Sequence, residues 1–443
     1  MSIPSNSTGP SSQGDLKHSL EALAKFNTTS AHEDINTAIE HAKASVEDPS
    51  RQGGDKAGAL CVLASCYQQR YQASNGGFND LDEAVNAIKA AVNITIRQPH
   101  VAGAQVYFIN LERILCFRYR ERKGKMPIED SIEIVAPMLD LIQTGSPGHA
   151  FLLKILSALH SAGYEHTKDS KYLDEAIGVA QRAVSDAPVE HPLGRALRTE
   201  LAQSLDKRFE KTQLISDLDS FIGIFESLLA VSDSDGEKFE PAHELAAAFE
   251  RRYKLTSSPE DIAKAVEYGT SAVEFAPTTP LKGHPISARD IAYHNLRIHA
   301  KAYFSKTGNV PQPKNGVLER GHIVQMLVKK NAKDKAQQLL GVARAFQRLY
   351  ETTNAIPDIE EALRLTMAAM QETDDSHAEW EAMQDSFRVQ FRLWSEHTGK
   401  MSDFDTVVMA FERNGGTYIP PGLVGDLELK VPYMIYGGEL PVE

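Results

Sequence analysis

Apolar residues recur along the chain with the spacing of one face of an α-helix, and this pattern repeats. Six segments share it: 32–46, 79–92, 171–184, 216–229, 259–273 and 357–370. In each, an acidic residue stands near the start, an apolar pair such as Ala84–Val85 follows, and a second pair such as Ala91–Val92 comes seven residues later. This spacing places the pairs on one side of a helix, and a leading Asp or Ser can cap the first turn. Each segment is therefore predicted to be an amphipathic helix.

Aromatic residues form a second register, which gives the repeat its length. Successive aromatics lie 44 to 50 residues apart, at Phe26, Tyr71, Tyr119, Tyr164, Phe209, Tyr253, Tyr303, Tyr350 and Trp394. They end longer segments such as 191–212 and 334–353, whose apolar residues also recur at three and four. Each unit is thus predicted to hold a shorter helix A and a longer helix B. At a fixed place in each unit, the aromatics are expected to pack against the next A helix.

Neither helix of a unit can bury its apolar face alone, so neighbouring units are expected to stack into one continuous core. We predict a disordered segment at 1–14, a first part of the array at 15–304 and a last part at 333–412. Between these parts, an irregular insertion and a degenerate repeat at 305–332 contain an A helix near 317–330. The last A helix is expected at 402–412, before a tail at 413–443 that is rich in Gly and Pro.

The stretch YLDEAIGVAQRAVSDAPVEHPLGRALRTELAQSLDKRFEKTQLISDLD (172–219) resembles the repeats of tetratricopeptide-like proteins that are common in filamentous fungi. The resemblance covers roughly residues 15–412. It implies an all-α fold, an α-α superhelical solenoid of about eight to nine tetratricopeptide-like helix pairs with a short irregular C-terminal tail. The standard signature of about 34 residues, with its Trp-x-x-Leu-Gly start, is absent. Such arrays often accompany a caspase-like effector or a nucleotide-binding switch, but no Cys follows Cys116 and no phosphate-loop motif occurs.

Composition narrows the classes of function. The chain has 443 residues, 42% of them hydrophobic, and a formal net charge of −13. Such a chain is expected to fold, and an acidic balance disfavours nucleic acid as a partner. No stretch has the about 18 consecutive apolar residues that a membrane span requires, and the N-terminus lacks the apolar stretch of a signal peptide. We therefore expect a protein of the cytosol or nucleus that binds neither nucleic acid nor membrane.

The motifs of common catalytic, metal and cofactor sites are absent. The sequence has no His-Glu-x-x-His, no Gly-x-Ser-x-Gly and no Gly-x-Gly-x-x-Gly. His294 and His299 lie five apart on a predicted helix and therefore face different ways. The three cysteines are too few for a disulfide framework and are expected to be small buried side chains. The sequence thus predicts no catalytic, cofactor-binding or metal-binding residue, and favours a protein that is not an enzyme.

The preferred hypothesis is an interaction scaffold that binds a protein or peptide in the concave groove of the array. Polar residues on the A-helix face opposite the apolar pairs are the candidates for this groove: Glu40, Lys43, Asn86, Lys89, Asn93 and Gln181. The identity of the partner and the oligomeric state stay open.

Two further hypotheses depend on the apolar residues of the tail at 413–443. In the first, the chain is an enzyme or accessory protein of a fungal biosynthetic pathway, with a small-molecule pocket where the tail folds over the array. In the second, the tail lies in the groove of its own array and inhibits partner binding.

Overall fold

The structure is a computed structural model that describes residues 11–74, 77–98, 103–122, 126–187, 193–280, 286–314, 318–329, 332–373 and 379–399. Seventeen α-helices run through these residues. Their bounds are α1 Ser11–Thr29, α2 His32–Glu47, α3 Gly53–Ser74, α4 Asn79–Arg97, α5 Ala104–Glu121, α6 Glu129–Leu139, α7 Pro147–Thr167, α8 Ser170–Asp186, α9 Gly194–Thr212, α10 Ile215–Ala230, α11 Asp235–Thr256, α12 Pro259–Phe275, α13 Ala288–Thr307, α14 Arg320–Leu327, α15 Lys335–Thr353, α16 Ile356–Gln371 and α17 Trp380–Thr398. None of these helices is long and apolar enough to cross a membrane.

The chain divides into two compact units, Met1–Ile224 and Phe225–Glu443. Within the first unit, each helix from α1 to α5 packs against the next, as do α6 to α9. Within the second unit, each helix from α11 to α17 does the same. Helices two apart in sequence also touch in pairs such as α3 with α5, α7 with α9 and α15 with α17. This packing of neighbours confirms the predicted all-α solenoid of A and B helix pairs.

The helix bounds follow the apolar periodicity closely. Predicted A helices at 32–46, 171–184 and 259–273 are found at His32–Glu47, Ser170–Asp186 and Pro259–Phe275. The segment predicted at 79–92 continues to Arg97, because Thr95 still turns a buried side chain inward. Residues 11–14, which the sequence assigned to a disordered segment, already belong to α1. The predicted A helix at 402–412 and the tail at 413–443 lie outside the described residues.

The irregular segment at 305–332 contains the shortest of the described helices. Helix α13 ends at Thr307, and Gly308 takes a left-handed conformation after it. Pro311 and Pro313 follow and cannot donate the backbone hydrogen bonds of a helix, so α14 begins only at Arg320. The intervening loop still contributes to the core, because Val310 and Leu318 are buried. The predicted helix near 317–330 is therefore present, but it spans only eight residues.

Most of the periodic aromatics lie in the core. Six of them are buried: Phe26, Tyr71, Tyr119, Phe209, Tyr350 and Trp394. Tyr164, Tyr253 and Tyr303 are half-buried. In the first unit, Phe26 and Tyr119 join one cluster with the apolar pairs of α2 and α4, and in the second unit Tyr350 and Trp394 join a cluster with those of α16. One aromatic per B helix therefore fills the space beside the apolar face of an A helix.

Five of the described turns from a B helix to the following A helix share one backbone geometry. The residue after the B helix has a positive φ of 55° to 57° at Ser30, Lys168, Gln213, Ser257 and Asn354. Its backbone N–H donates to the carbonyl four residues earlier, at 2.7 to 2.8 Å, and this carbonyl belongs to the periodic aromatic. The residue before the left-handed one is Thr in all five turns. Its hydroxyl accepts a hydrogen bond from the backbone N–H two residues later, at 3.2 to 3.3 Å. A left-handed residue thus reverses the chain at a fixed place.

A buried carboxylate near the start of the A helix completes this turn. Asp261 accepts from Arg252 Nη2 at 2.7 Å and from the Thr256 hydroxyl at 3.0 Å. Asp34 accepts from Lys25 at 2.7 Å and Thr29 at 2.8 Å. These two hydrogen bonds outweigh burial and lower the pKa of the Asp34 carboxyl. Each carboxylate therefore ties the end of helix B to the start of helix A.

The last described turn obtains its cation from a different helix. Leu349 occupies the position that carries Lys25 and Arg252 in the turns above, nine residues before the carboxylate. Asp358 is instead paired with Arg320 of α14, whose Nε lies 2.6 Å from Asp358 Oδ1. The Asp358 side chain is only 2% exposed. Arg320 is consequently the partner that keeps a nearly dehydrated charge satisfied.

The change Arg320→Ala should lower the free energy of unfolding of this region by about 2–4 kcal/mol, because it leaves the Asp358 carboxylate buried and unpaired. Arg392→Ala is the matched control, since Arg392 and Glu396 form a pair in which both side chains are about two-thirds exposed. Such a pair contributes about 0–1 kcal/mol. Urea unfolding followed by circular dichroism measures both. Equal decreases in the free energy of unfolding of the two variants would show that the Asp358 pair is no stronger than a surface pair.

Two histidines of the second unit are kept neutral by burial. His299 of α13 is 3% exposed, and burial lowers its pKa although Glu250 of α11 and the Ala265 carbonyl of α12 act in the opposite direction. His243 of α11 has its pKa lowered by burial and, with Lys254, disfavours a proton on His299. The unfolded chain therefore binds more protons than the folded chain as the pH falls below the ordinary histidine pKa of about 6.5.

Stability should thus be fully present above about pH 6.5 and should decline as the pH falls below the ordinary histidine pKa towards the lowered pKa values of the folded chain. The change His299→Gln removes one of the titrating rings without adding a charge, so the melting temperature should depend less steeply on pH in this variant. His32→Gln changes an exposed histidine and should leave the slope as it is. Thermal unfolding at a series of pH values tests this, and identical slopes for wild type and His299→Gln would contradict it.

Candidate partner-binding surfaces

The residues predicted for the groove lie on A helices, as the sequence pattern requires. Glu40 and Lys43 lie on α2, and Asn86, Lys89 and Asn93 lie on α4. All are exposed except Asn93, which is half-buried. Helices α2 and α4 both pack against α3. The exposed Gln181 lies on α8, which packs against α7 and α9, so it belongs to a later part of the array.

One of these residues already has a role within the fold. The Lys43 Nζ lies 5.7 Å from the centroid of the Tyr67 ring on α3, and the Arg70 guanidinium lies 5.5 Å from the same centroid. Because Arg70 is on α3 with Tyr67, only the Lys43 contact joins helix A to helix B through cation–π attraction. Lys43 therefore contributes to the packing of α2 on α3 in addition to being exposed.

A cleft with a basic rim opens between the C-terminal ends of α7 and α9. It has a volume of about 430 Å³ and is lined by Tyr164, Glu165, Lys168, Lys207, Glu210 and Lys211, which together we call the lysine cleft. The Lys168 Nζ lies 5.5 Å and the Lys211 Nζ lies 5.7 Å from the centroid of the half-buried Tyr164 ring. The cleft thus contains an aromatic ring with two ammonium groups close to it.

The three lysines of this cleft are not equivalent. Lys207 forms an ion pair with Glu165 at 2.7 Å, and its charge is therefore compensated. Lys211 donates to the backbone carbonyl of Lys168 at 3.3 Å. Among the residues that the structure describes, neither Lys168 nor Lys211 forms an ion pair with a carboxylate. These two ammonium groups are available to an anionic group from another molecule.

The local fold explains why these lysines stand where they do. Lys168 is the left-handed residue after α7, and its N–H donates to the Tyr164 carbonyl at 2.8 Å. Lys211 lies in the last turn of α9. Both side chains are close to helix C-termini, where the partial negative charge of unpaired carbonyls favours cations. The positions along the two helices then place both lysines beside Tyr164.

A second cleft adjoins the first and shares Lys211. Its volume is about 390 Å³, and Arg208, Leu214 and Asp217 are among its lining residues. Arg208 is engaged within the fold, since it pairs with Asp217 at 2.7 Å and with Asp174 at 2.9 Å. These carboxylates raise the pKa of Arg208 well above its usual range. The exposed Leu214 adds an apolar contact point next to Lys211.

In the second unit, a cleft of about 300 Å³ is lined by residues of α15 and α17. Its arginines are held by partners within the unit, because Arg344 Nε donates to Ser386 Oγ at 3.0 Å and Arg348 Nε donates to Asn309 Oδ1 at 3.1 Å. This cleft therefore offers fewer free charges than the lysine cleft.

The lysine cleft was not predicted from the sequence. Tyr164 was expected to be one of the packing aromatics, and most of these are indeed buried. The signal was present, because Lys168 and Lys211 each follow a periodic aromatic, Tyr164 and Phe209, by a few residues. Only the packing of α7 on α9 shows that the two lysines converge on one ring.

Comparisons with known proteins do not assign a family. No family model matches the chain, and no curated protein matches it in sequence. Among solved structures, it is similar to a circular tandem repeat protein with a novel repeat topology, at 13% identity and a TM-score of 0.29, over 91% of this chain and 85% of that one. It is also similar to a structure of Naa15/Naa10 bound to HypK-THB, at 10% identity and a TM-score of 0.14, over 91% of this chain and 78% of that one. Scores this low carry no argument about function.

Proposed function

We propose that this protein is a non-catalytic scaffold that binds an extended, acidic segment of a partner protein in the lysine cleft. The observation that carries the proposal is the pair Lys168 and Lys211, two ammonium groups without a carboxylate partner in the described part of the chain, which lie 5.5 and 5.7 Å from the centroid of the Tyr164 ring. The fold supports the proposal, because a stack of helix pairs presents long surfaces to extended ligands. We expect such a protein in the cytosol or nucleus.

The chemistry of the cleft defines the partner. Carboxylates spaced along an extended peptide can meet Lys168 and Lys211, and an aromatic or apolar side chain between them can stack on Tyr164. Leu214, 49% exposed next to Lys211, offers a second apolar contact. Since the cations lie at the protein surface, the attraction should weaken as salt screens it.

The A-helix face with Lys43, Asn86 and Lys89 is a second candidate surface. It carries two exposed lysines of its own and belongs to the same unit as the lysine cleft. A small-molecule pocket closed by 413–443 is a weaker candidate, because it depends on residues beyond the described part, whereas the lysine cleft is formed by described side chains.

Peptides selected from a displayed library against the full-length chain should be rich in Asp and Glu. The change Lys168→Glu with Lys211→Glu should weaken their binding at least about tenfold, which corresponds to about 1.4 kcal/mol, since both attractive pairs become repulsive. Tyr164→Ala should weaken it by a smaller factor. Fluorescence anisotropy at low and at physiological salt gives these affinities, and binding by the wild type should fall as salt rises.

The matched control is Lys43→Glu with Lys89→Glu, which changes the net charge by the same amount on the other surface. If only this pair weakens binding, the A-helix face is the partner surface and the assignment to the lysine cleft is wrong. If the library yields no specific binder, the scaffold function itself loses its support.

A further inference from the structure

Helices α1 and α2 bring together three side chains that can each donate to a metal ion. Asp15 and His18 lie on α1, and His41 lies on α2. One potential ligand atom from each of the three lies within 4.8 Å of the other two. His41 Nδ1 and Asp15 Oδ1 are 3.2 Å apart, and the centroids of the two imidazole rings are 5.4 Å apart. None of the surfaces discussed above includes these residues.

The packing of the helix pair fixes this arrangement. Asp15 and His18 lie three residues apart on α1, so their side chains project from the same face. The hydroxyl of the buried Ser19, the residue after His18, donates to the Ala38 carbonyl at 2.8 Å. At the other end of the pair, Lys25 and Asp34 hold the two helices together at 2.7 Å. The backbone positions of the three residues are therefore set by contacts that involve none of them.

The donor set and the spacing match those of a small divalent cation. Zinc bonds to imidazole nitrogen and carboxylate oxygen at about 2.0–2.2 Å, so two tetrahedral ligands lie about 3.3 Å apart. His41 Nδ1 and Asp15 Oδ1 already have nearly this separation. His18 is exposed and can close the remaining distance by rotating its side chain.

We propose that Asp15, His18 and His41 bind a divalent cation of the zinc class and that this ion links α1 to α2. Two imidazoles and one carboxylate suit zinc and the neighbouring borderline metals, whereas magnesium and calcium prefer oxygen ligands alone. Three ligands from the protein leave at least one coordination position for water or for a group of another molecule. The Asp15 and His41 side chains are each about one-third exposed, so an ion can reach the site from solvent.

The test is an isothermal calorimetric titration of the full-length, chelator-treated chain with zinc alone. The wild type should bind with a stoichiometry close to one, and His18→Ala, His41→Ala and Asp15→Asn should each lower the affinity at least about tenfold. His32→Ala removes an exposed histidine outside the cluster and should bind as the wild type does. Circular dichroism shows whether each variant is folded.

A second measurement needs no variant. Zinc should protect the rings of His18 and His41 from histidine-specific acylation in the wild-type chain, as mapped by mass spectrometry, while His32 should stay reactive. Binding that survives unchanged in both His18→Ala and His41→Ala, or zinc that protects neither ring, would overturn the proposal. Absence of binding by the wild type at micromolar zinc would do the same.

Discussion

The structure depends on a carboxylate that is buried at the start of an A helix and held there by hydrogen bonds. At Asp34, Asp261 and Asp358, such a carboxylate takes hydrogen bonds from a Thr hydroxyl and from a cation. Removing either donor leaves a buried oxygen without its hydrogen bond and lowers the free energy of unfolding. The angle between helix B and helix A therefore has little freedom. Because each pair of helices stacks on the next, these fixed turns constrain the positions of the helices that pack beside them.

This turn also leaves one position free to vary. The left-handed residue contributes its backbone N–H to the turn, and the Thr before it supplies the polar side chain. The left-handed residue can consequently be Ser, Lys, Gln or Asn, as Ser30, Lys168, Gln213 and Asn354 show. In the lysine cleft, this variable position carries an ammonium group that has no carboxylate partner among the described residues. In this turn, the backbone N–H of Lys168 stabilises the fold, and its side-chain ammonium group serves the proposed binding.

The sequence predicted the helices well because one apolar face per helix is a local property that periodicity reveals. Segments such as 32–46 and 259–273 needed no knowledge of the packing. The sequence predicts the buried carboxylates only in part. The aspartates mark the starts of the A helices, but the pairing of Asp358 with Arg320 joins different helices and cannot be predicted from local sequence. The two candidate sites were missed because their residues meet across helices. Lys168 and Lys211 converge through the packing of α7 on α9, and His41 joins Asp15 and His18 through that of α2 on α1.

We propose that an acidic segment of a partner lies against Lys168 and Lys211. A crystal structure of the chain with the peptide that binds it most tightly tests this directly. We expect a peptide carboxylate within ion-pair distance, about 4 Å, of the Nζ atom of Lys168 or Lys211, and a peptide side chain against the Tyr164 ring. A peptide bound with no contact to any of these three residues would overturn the assignment of the binding site.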